Sequence, residues 1–244
     1  MTSERKALDG ARRRRLYLFR HGSVDYVDRN GGWVADPEIV ELNEKGRAQA
    51  SAMAGMFRDI AVDRAVCSGL VRTRQTGETI LAGRRIELEV ISDLEEIRPA
   101  KEEVAGGQDV FADVAFSHWR ASDDDARFLG GERYSDFYAR VVGAMESLLS
   151  SKGWNHLAIF AHGGTNAAVL GWVTGLGLAA FGLLDQQTCC LNIVDFDTAV
   201  DGGEVVRKAV RAVNITLDDP LKRDRHAGDM EILAGRLIKT RSNG

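Results

Sequence analysis

Two histidines in this chain each precede a glycine at the end of an apolar run, a setting typical of catalytic or ligand-binding side chains. Arg20-His21-Gly22 follows the apolar residues 16–19, and His162-Gly163-Gly164 follows a second run over residues 156–161. Short apolar runs of this kind are typical of buried strands. Because open α/β sheets bind ligands at the carboxyl ends of their strands, we expect both histidines to face one pocket.

The residue types in this pocket favour chemistry at phosphorus. A histidine with an unperturbed pKa of about 6.5 is largely neutral at pH 7, and its free ring nitrogen is a good nucleophile. Guanidinium groups match phosphate oxygens bidentately, so Arg20 favours a phosphoryl electrophile beside His21. Arg72 and Thr76 lie one turn apart at the predicted start of a helix, where backbone amides and the helix dipole favour an anion. Gly22 would let the backbone approach the ligand closely.

The elements that must position these residues alternate between strand and helix along the chain. Asn43 is a plausible N-cap for a helix to about Arg58 that buries Ala50, Met53, Ala54 and Phe57. Further patterns predict strands over 63–68 and 86–91, helices over 70–81, from 131 to about 149 and over 165–174, and a hairpin of 190–196 with 204–213. Such alternation predicts a mostly parallel sheet with helices on both faces.

The parts outside this pattern set the predicted domain boundaries. Residues 1–14 are predicted to be a disordered basic leader, with the arginines at 12–15 in a solvated arm. Residues 15–213 are predicted to form a single domain. A loop over residues 23–41 and a helical lid insertion at about 98–130, with its helix near 110–119, would cover the pocket. Residues 214–244 are predicted to be a polar tail with a loose helix over 232–238.

Bulk properties exclude several classes of protein. The 244 residues carry a formal net charge of −4, which argues against a nucleic-acid binder, and no apolar run is long enough for a membrane span. Three cysteines, two of them adjacent, do not form a disulfide framework, so we predict a cytoplasmic location. The sequence offers no compact set of metal ligands. The terminal hairpin offers an edge for pairing in a possible homodimer.

The chain resembles the histidine phosphatase superfamily, whose fold is phosphoglycerate mutase-like. The resemblance covers roughly residues 15–197 and rests on motifs that occur in the family's order. These are Arg20-His21-Gly22, residues 42–50, residues 68–76, residues 94–97, Gly130-Gly131-Glu132 and residues 161–164. It implies a three-layer α/β/α fold with a mostly parallel central sheet.

The resemblance also implies a role for each matching residue. His21 would be the nucleophile that becomes phosphohistidine, and Glu96 would donate a proton to the leaving group. The phosphoryl oxygens would be held by Arg20, Arg72 and His162, with the backbone at Gly22. Glu132 would be a supporting carboxylate near the phosphate site. Neither a metal ion nor a cofactor is implied, and the substrate would be a small phosphate ester.

Some positions depart from the family's pattern. Relatives often carry hydrogen-bonding side chains where this chain has Val24 and Val27. Ser23, Asp25 or Asn30 could substitute for them at the phosphate. Several carboxylates near Glu96 are alternatives for the acid, namely Asp93, Glu95, Glu102 and Glu103. Outside the motifs, His118 and His226 are expected to be surface groups, and Cys67 a buried, inert thiol.

Three functions fit these observations. The first is a phosphomonoester hydrolase that acts through phosphohistidine. The second is a phosphoglycerate mutase-type phosphotransferase, which would need a strongly basic pocket for a second phosphate. Residues 98–130 are instead rich in acids. The third is a degenerate module that binds phospho-ligands without turnover. The complete set of histidines, arginines and a carboxylate favours the hydrolase.

Overall fold

The computed structural model describes residues 11–27, 34, 36–100, 110–199, 204–223 and 225–241 of the chain. Within them, six strands form one mixed sheet in the order β3-β2-β4-β1-β5-β6. Strands β1 to β4 run parallel, whereas β5 and β6 are antiparallel additions at one edge. The strands are β1 (Arg12–Arg20), β2 (Arg64–Cys67), β3 (Leu88–Val90), β4 (His156–Ala161), β5 (Leu191–Thr198) and β6 (Val205–Ile215).

Helices cover both faces of this sheet. They are α1 (Glu44–Phe57), α2 (Val71–Ile80), α3 (Val110–Ala115), α4 (Tyr134–Ser150), α5 (Gly163–Thr174), α6 (Ala180–Leu183) and α7 (Asp229–Arg241), with short 3-10 turns at Ser92–Leu94, Phe128–Gly130 and Gly177–Ala179. Alternate residues of β1 separate the two cores, since Leu16 and Leu18 pack with α4 and α5 while Tyr17 and Phe19 pack with α1 and α2. The predicted three-layer α/β/α fold is confirmed.

Helix α1 shows how local sequence fixes one of these elements. The side chain of Asn43 accepts a hydrogen bond from the amide of Gly46 at 2.9 Å, so it caps the helix as predicted. Ala50, Met53 and Phe57 are buried against the sheet. The spacing therefore predicts three of the four residues of the buried face correctly, whereas Ala54 is only half-buried.

The predicted disordered leader is wrong for its last residues, because β1 already begins at Arg12. The strand register places Arg13 opposite Asp197, and their side chains form an ion pair at 2.8 Å. Arg14 is buried, donates to the carbonyl of Leu149 at 2.6 Å and stacks on Trp154. These arginines are therefore strand residues with fixed partners. Residues 1–10 lie outside the described part of the chain.

The region after residue 213 also differs from the predicted polar tail. Strand β6 continues to Ile215, and α7 spans Asp229–Arg241, well beyond the loose helix expected over 232–238. Lid helix α3 is shorter than predicted and packs directly on α7. Their contact is an apolar cluster, called the cap below, of Val114, Ala115, Ala234 and Leu237 with Val27, Phe111, Leu129, Met230 and Leu233 packed against it.

None of the helices in the described residues is both long and apolar enough to cross a membrane.

Candidate active site

The two histidines meet because their strands are parallel neighbours in the sheet. The register aligns Arg20 at the end of β1 with Ala161 at the end of β4, so the next residue of each strand enters the same crevice. The ring centroids of His21 and His162 lie 5.3 Å apart, and both residues are buried. The structure thus brings together the pair on which the predicted site depends.

The ring of His21 is held in one tautomer by its own turn. Its Nδ1 lies 2.8 Å from the carbonyl oxygen of Gly22. Since a carbonyl only accepts hydrogen bonds, Nδ1 carries the proton and Nε2 keeps its lone pair. Burial, followed by the charges of Arg72 and Arg20, lowers the pKa of His21 well below its usual value. His21 is therefore neutral at pH 7 with Nε2 free to act as a nucleophile.

Gly22 is needed for packing. A Cβ atom at this position would lie 2.7 Å from the carbonyl oxygen of Gly46, so only glycine lets the His21 turn contact α1. The amide of Gly22 donates to Thr76 Oγ1 at 3.1 Å, and Thr76 donates in turn to the carbonyl of Arg72. The Gly22 N–H thus has a partner in α2, and the binding of phosphate by the Gly22 backbone stays a prediction.

His162 has the opposite hydrogen-bonding arrangement. Its Nε2 lies 2.8 Å from Ser68 Oγ, which lies 3.0 Å from Thr73 Oγ1. Thr73 uses its hydroxyl proton on the carbonyl of Leu70, so Ser68 must donate to Thr73 and His162 must donate to Ser68. The proton of neutral His162 is therefore on Nε2, and its buried Nδ1 has no hydrogen-bond partner among the described residues. Burial, then Arg72, lowers the pKa of His162 well below its usual value.

Both arginines carry a buried nitrogen without a hydrogen-bond partner in the described chain, and the charges of both act on the two histidines. Arg72 is buried on α2 and donates its Nη1 to the carbonyl of Pro37 at 2.6 Å, whereas its Nε has no hydrogen-bond partner in the described chain. The Nε of Arg20 is likewise buried and unbonded, and a Cβ atom on Gly163 would lie 3.4 Å from it. The donors without partners in the described residues are thus the Nε–H groups of Arg20 and Arg72, and both guanidiniums act on the two histidines. Two such donors are suited to an anion, whereas the unbonded Nδ1 of His162 carries a lone pair.

Glu96 lies at the N-terminus of α5, next to His162. Its Oε2 accepts from the amide of Gly164 at 3.0 Å, and its Oε1 accepts from the amide of Ile97 at 3.1 Å. A Cβ atom on Gly164 would overlap this carboxylate, which explains the second glycine of the motif. Two backbone bonds thus orient Glu96 beside the second histidine.

Glu132 supports the segment that carries Glu96. Its carboxylate binds Arg140 of α4 through two bonds of 2.8 and 3.0 Å and accepts from the amide of Arg98. Burial alone would raise the pKa of Glu132, but the hydrogen bonds and charges of Arg140 and Arg98 together lower that pKa. Arg140 also donates to the carbonyls of Asp93, Glu95 and Glu96. Glu132 therefore acts on the site through Arg140.

Ser23 and Asp25, which could replace the hydrogen-bonding residues absent at Val24 and Val27, have other partners. Ser23 Oγ and Asp25 Oδ1 both accept from Asn43, and Asn30 lies outside the described residues. Val24 is buried and pairs with Leu42, whereas Val27 packs into the cap. The two valines therefore anchor the loop that follows His21 by apolar contact.

Sequence reasoning missed several residues around the site. The ring of Tyr26 lies 5.6 Å from the Arg72 guanidinium. The main-chain oxygen of Gln186 accepts a hydrogen bond from Arg20 Nη1. The side-chain oxygen of Gln186 accepts hydrogen bonds from Asn166 and Asn192. Asp229 forms an ion pair with Arg20. Asn192 alternates with apolar residues on β5, but Asp229 lies in a polar stretch that carries no sequence motif.

His118 was expected at the surface, which is wrong. Its Nδ1 lies 3.0 Å from the hydroxyl of Tyr134, and its ring contacts those of Phe128 and Phe181. Burial lowers its pKa to about 4, with a smaller contribution from Arg20. Cys67 is buried as predicted, and burial raises the pKa of its thiol. Neither residue contributes a donor to the place between the two histidines.

Comparison with known proteins gives a consistent result. A model of the histidine phosphatase superfamily (branch 1) matches residues 16–209. A probable 2-carboxy-D-arabinitol-1-phosphatase of Arabidopsis thaliana is 28% identical over 216 residues, 85% of this chain and 43% of the plant protein. The chain thus spans less than half the length of this protein and of its wheat counterpart. An adenosylcobalamin/alpha-ribazole phosphatase of Salmonella typhimurium is 25% identical over 74% of this chain and 90% of its own length.

Solved structures share the fold. A mycobacterial glucosyl-3-phosphoglycerate phosphatase superimposes with a TM-score of 0.68 at 24% identity, covering 83% of this chain and 99% of the other. An Escherichia coli protein described as a putative alpha-ribazole-5'-P phosphatase gives 0.65 at 20% identity, covering 82% and 96%. At this level of identity the likeness establishes the architecture.

Proposed function

Because the chain belongs to the histidine phosphatase superfamily, we propose that it is a phosphomonoester hydrolase that acts through a phosphohistidine at His21. The observation that carries the proposal is the pair of buried rings, His21 and His162, on which the charges of Arg20 and Arg72 both act, each arginine having a buried Nε unbonded within the described chain. A neutral nucleophile and an anion site in one crevice are the two requirements of phosphoryl transfer to histidine.

In the first step, His21 Nε2 attacks phosphorus and forms the N–P bond while the bond between phosphorus and the leaving oxygen breaks. Charge spreads over the three equatorial oxygens in the transition state. The guanidiniums of Arg20 and Arg72 are placed in advance to neutralise that charge, which is the largest contribution expected from the protein. Since two guanidiniums provide this charge, the reaction is proposed to need no metal ion.

Glu96 is proposed to handle the protons. In its acid form it gives a proton to the departing oxygen, which releases the alcohol, and such assistance typically contributes about 10²–10⁴-fold. The resulting carboxylate then takes a proton from water as the water oxygen attacks the phosphorus of phosphohistidine. The N–P bond breaks, inorganic phosphate forms, and both His21 and Glu96 return to their starting states.

The proposed substrate is a small phosphorylated metabolite. This is supported by the names of two of the relatives, a probable 2-carboxy-D-arabinitol-1-phosphatase and an adenosylcobalamin/alpha-ribazole phosphatase. The cap of α3 and α7 closes over the loop after His21 with apolar side chains. A mutase must hold a bisphosphate, so the apolar lining of the described cap favours a hydrolase.

The test is release of inorganic phosphate from p-nitrophenyl phosphate in the presence of EDTA. We expect turnover by the wild-type chain and loss of at least about 10³-fold in His21→Ala, because the nucleophile is removed. His156→Ala is the matched control, since this histidine lies at the start of β4 with 39% of its side chain exposed.

Two outcomes would contradict the proposal. One is unchanged turnover in His21→Ala, which would place the nucleophile elsewhere. The other is loss of turnover in EDTA that returns only with added divalent metal. Cys67→Ser should retain activity, because Cys67 is the last residue of β2 and is buried in the core.

A further inference from the structure

The guanidinium of Arg20 is bound at one end and free at the other. Its Nη1 donates to the main-chain oxygen of Gln186 and forms an ion pair with Asp229. Its Nε is buried without a hydrogen-bond partner in the described chain and lies beside Gly163, at the start of α5. The ion pair is largely shielded from water, because the side chains of Arg20 and Asp229 are only 14% and 20% exposed.

Asp229 is itself fixed by a series of alternating charges. Arg225 donates to the second oxygen of Asp229, and its Nε lies 3.4 Å from Asp185. Asp185 immediately precedes Gln186, whose oxygen also accepts from Arg20. Two cations and two anions thus link the segment before β5 to the first turn of α7, and each of the four charges has an opposite neighbour.

Helix α7 is placed by the cap. Ala234 and Leu237 of α7 pack against Val114 and Ala115 of lid helix α3, and Met230 packs on the same cluster. Met230 directly follows Asp229, so the apolar contact and the ion pair arise from the same turn. Asp229 also lies beyond residues 16–209, the part of the chain that the family model matches.

We propose that Asp229 is a positioning residue for the phosphate clamp: it holds Nη1 of Arg20 so that the edge formed by Nε and Nη2 faces the phosphoryl group. An arginine side chain has several rotatable bonds, and fixing one nitrogen removes that freedom before the ligand binds. The remaining edge offers the two parallel donors that phosphate oxygens accept. The inference rests on the proposed phosphate site and adds the C-terminal helix to it.

The opposite role makes the opposite prediction. If Asp229 occupied the place of the phosphate, the two anions would compete for Arg20, and removal of the carboxylate would strengthen phosphate binding. The geometry favours positioning, because Asp229 contacts Nη1 whereas the unbonded Nε lies beside Gly163 at the start of α5. The sign of the effect therefore distinguishes the two roles.

The experiment measures the affinity for inorganic phosphate by titration calorimetry and the KM for p-nitrophenyl phosphate in full-length variants. We expect Asp229→Ala to raise both the Kd and the KM about tenfold, as for loss of a charge-assisted hydrogen bond. Asp229→Asn keeps an acceptor oxygen for Nη1, so the rise of the Kd and the KM should be smaller in this variant. Glu231→Gln is the matched control, since Glu231 bonds the amide of Gly228 in the same turn of α7.

A merely structural role would lower the melting temperature and the active fraction, hence kcat, while leaving Kd and KM unchanged; that result would overturn the proposal. A lower Kd for phosphate in Asp229→Ala or Asp229→Asn would also overturn the proposal, because it would show that Asp229 competes with phosphate for Arg20. If Asp229→Ala does not fold, the isosteric Asp229→Asn decides by the same readouts. Since phosphate binding needs no turnover, a wild-type chain that binds phosphate but hydrolyses no ester would contradict the proposed function, whereas the Kd comparison still tests Asp229.

Discussion

At the scale of single residues, His21 and His162 are the same side chain in opposite hydrogen-bonding arrangements. His21 donates from Nδ1 to the carbonyl of Gly22, which leaves Nε2 as a lone pair for attack. His162 donates from Nε2 to Ser68, which leaves Nδ1 as a lone pair toward the anion site. A lone pair repels a phosphate oxygen, so His162 can help to hold phosphate only after Nδ1 gains a proton.

The first prediction follows from this arrangement. The pKa of His162 is low in the free protein, and a bound phosphate dianion should raise it, so binding at pH 8 should take up about one proton per site. Because uptake becomes harder as protons become scarce, phosphate affinity should fall as the pH rises. Calorimetry in buffers of different ionisation enthalpy measures the uptake directly.

Ser68→Ala provides the comparison for this prediction. Without the Ser68 acceptor, the neutral ring can place its proton on Nδ1, so the uptake should be smaller than in the wild-type chain. Equal binding enthalpies in all buffers for the wild-type chain would show that His162 binds phosphate without a change of protonation.

At the scale of elements, contacts between backbones decide whether His21 is presented correctly. A Cβ on Gly46 of α1 would overlap the carbonyl oxygen of Ser23, two residues after His21. Gly55 lies on the same helix, and a Cβ there would have no other atom within 4 Å. The two glycines thus differ in the role of their missing side chain, although both are helix residues.

The second prediction compares these glycines. Gly46→Ala should lower the free energy of unfolding by about 1–3 kcal/mol, as for overpacking, and should reduce kcat because the His21 turn is displaced. Gly55→Ala should raise the free energy of unfolding by about 0.5–1 kcal/mol, since alanine is favoured over glycine in a helix interior. Urea denaturation of both variants measures the difference. Similar values for the two would show that α1 does not constrain the turn.

The third prediction concerns the support of Glu96 by α4. In Glu132→Gln the Arg140 fork loses its charged partner, so the segment with Glu96 should shift and kcat should fall about tenfold with little change in KM. Asp136→Asn, an exposed carboxylate in the first turn of the same helix, is the control. A raised KM with an unchanged kcat would indicate that Glu132 contacts the substrate instead.

The sequence predicted those features that depend on residues close together along the chain. The N-cap at Asn43, most of the buried stripe of α1 and the two histidines at strand ends follow from periodicity and capping, so they were predicted correctly. The packing of Gly22 was not, because its neighbour Gly46 comes from another element. Asp229 was missed for the same reason: its partner Arg20 is far away along the chain, and only the packing of α7 on the lid joins them.

At the scale of the whole molecule, the fold keeps several imidazoles uncharged. His21, His162 and His118 all have lowered pKa values because they are buried, with that of His118 at about 4. In the unfolded chain the same groups titrate at about 6.5. Below that pH the unfolded state binds more protons than the native state, so stability must fall as the pH falls.

The fourth prediction is the pH window of this effect. Stability from the three histidines should be complete above about pH 6.5 and should decrease between about pH 6.5 and 4. Carboxylates with lowered pKa values, such as Asp195, act at more acidic pH, so histidines dominate in the upper part of this range. We expect the melting temperature to drop by several degrees between pH 7.5 and 5.5, and less in His118→Gln. A flat melting temperature would contradict the neutral buried state.

The central claim is that His21 receives the phosphoryl group. The most direct measurement is to mix the enzyme with a labelled phosphate ester, quench the reaction rapidly in alkali, in which phosphohistidine survives, and map the labelled peptide. We predict one phosphorylated residue, His21, in the peptide that follows β1, and no label in His21→Ala. Label on another residue would contradict the claim that His21 receives the phosphoryl group. Steady turnover with no label at His21, even when hydrolysis of the phosphoenzyme is slowed, would contradict it as well.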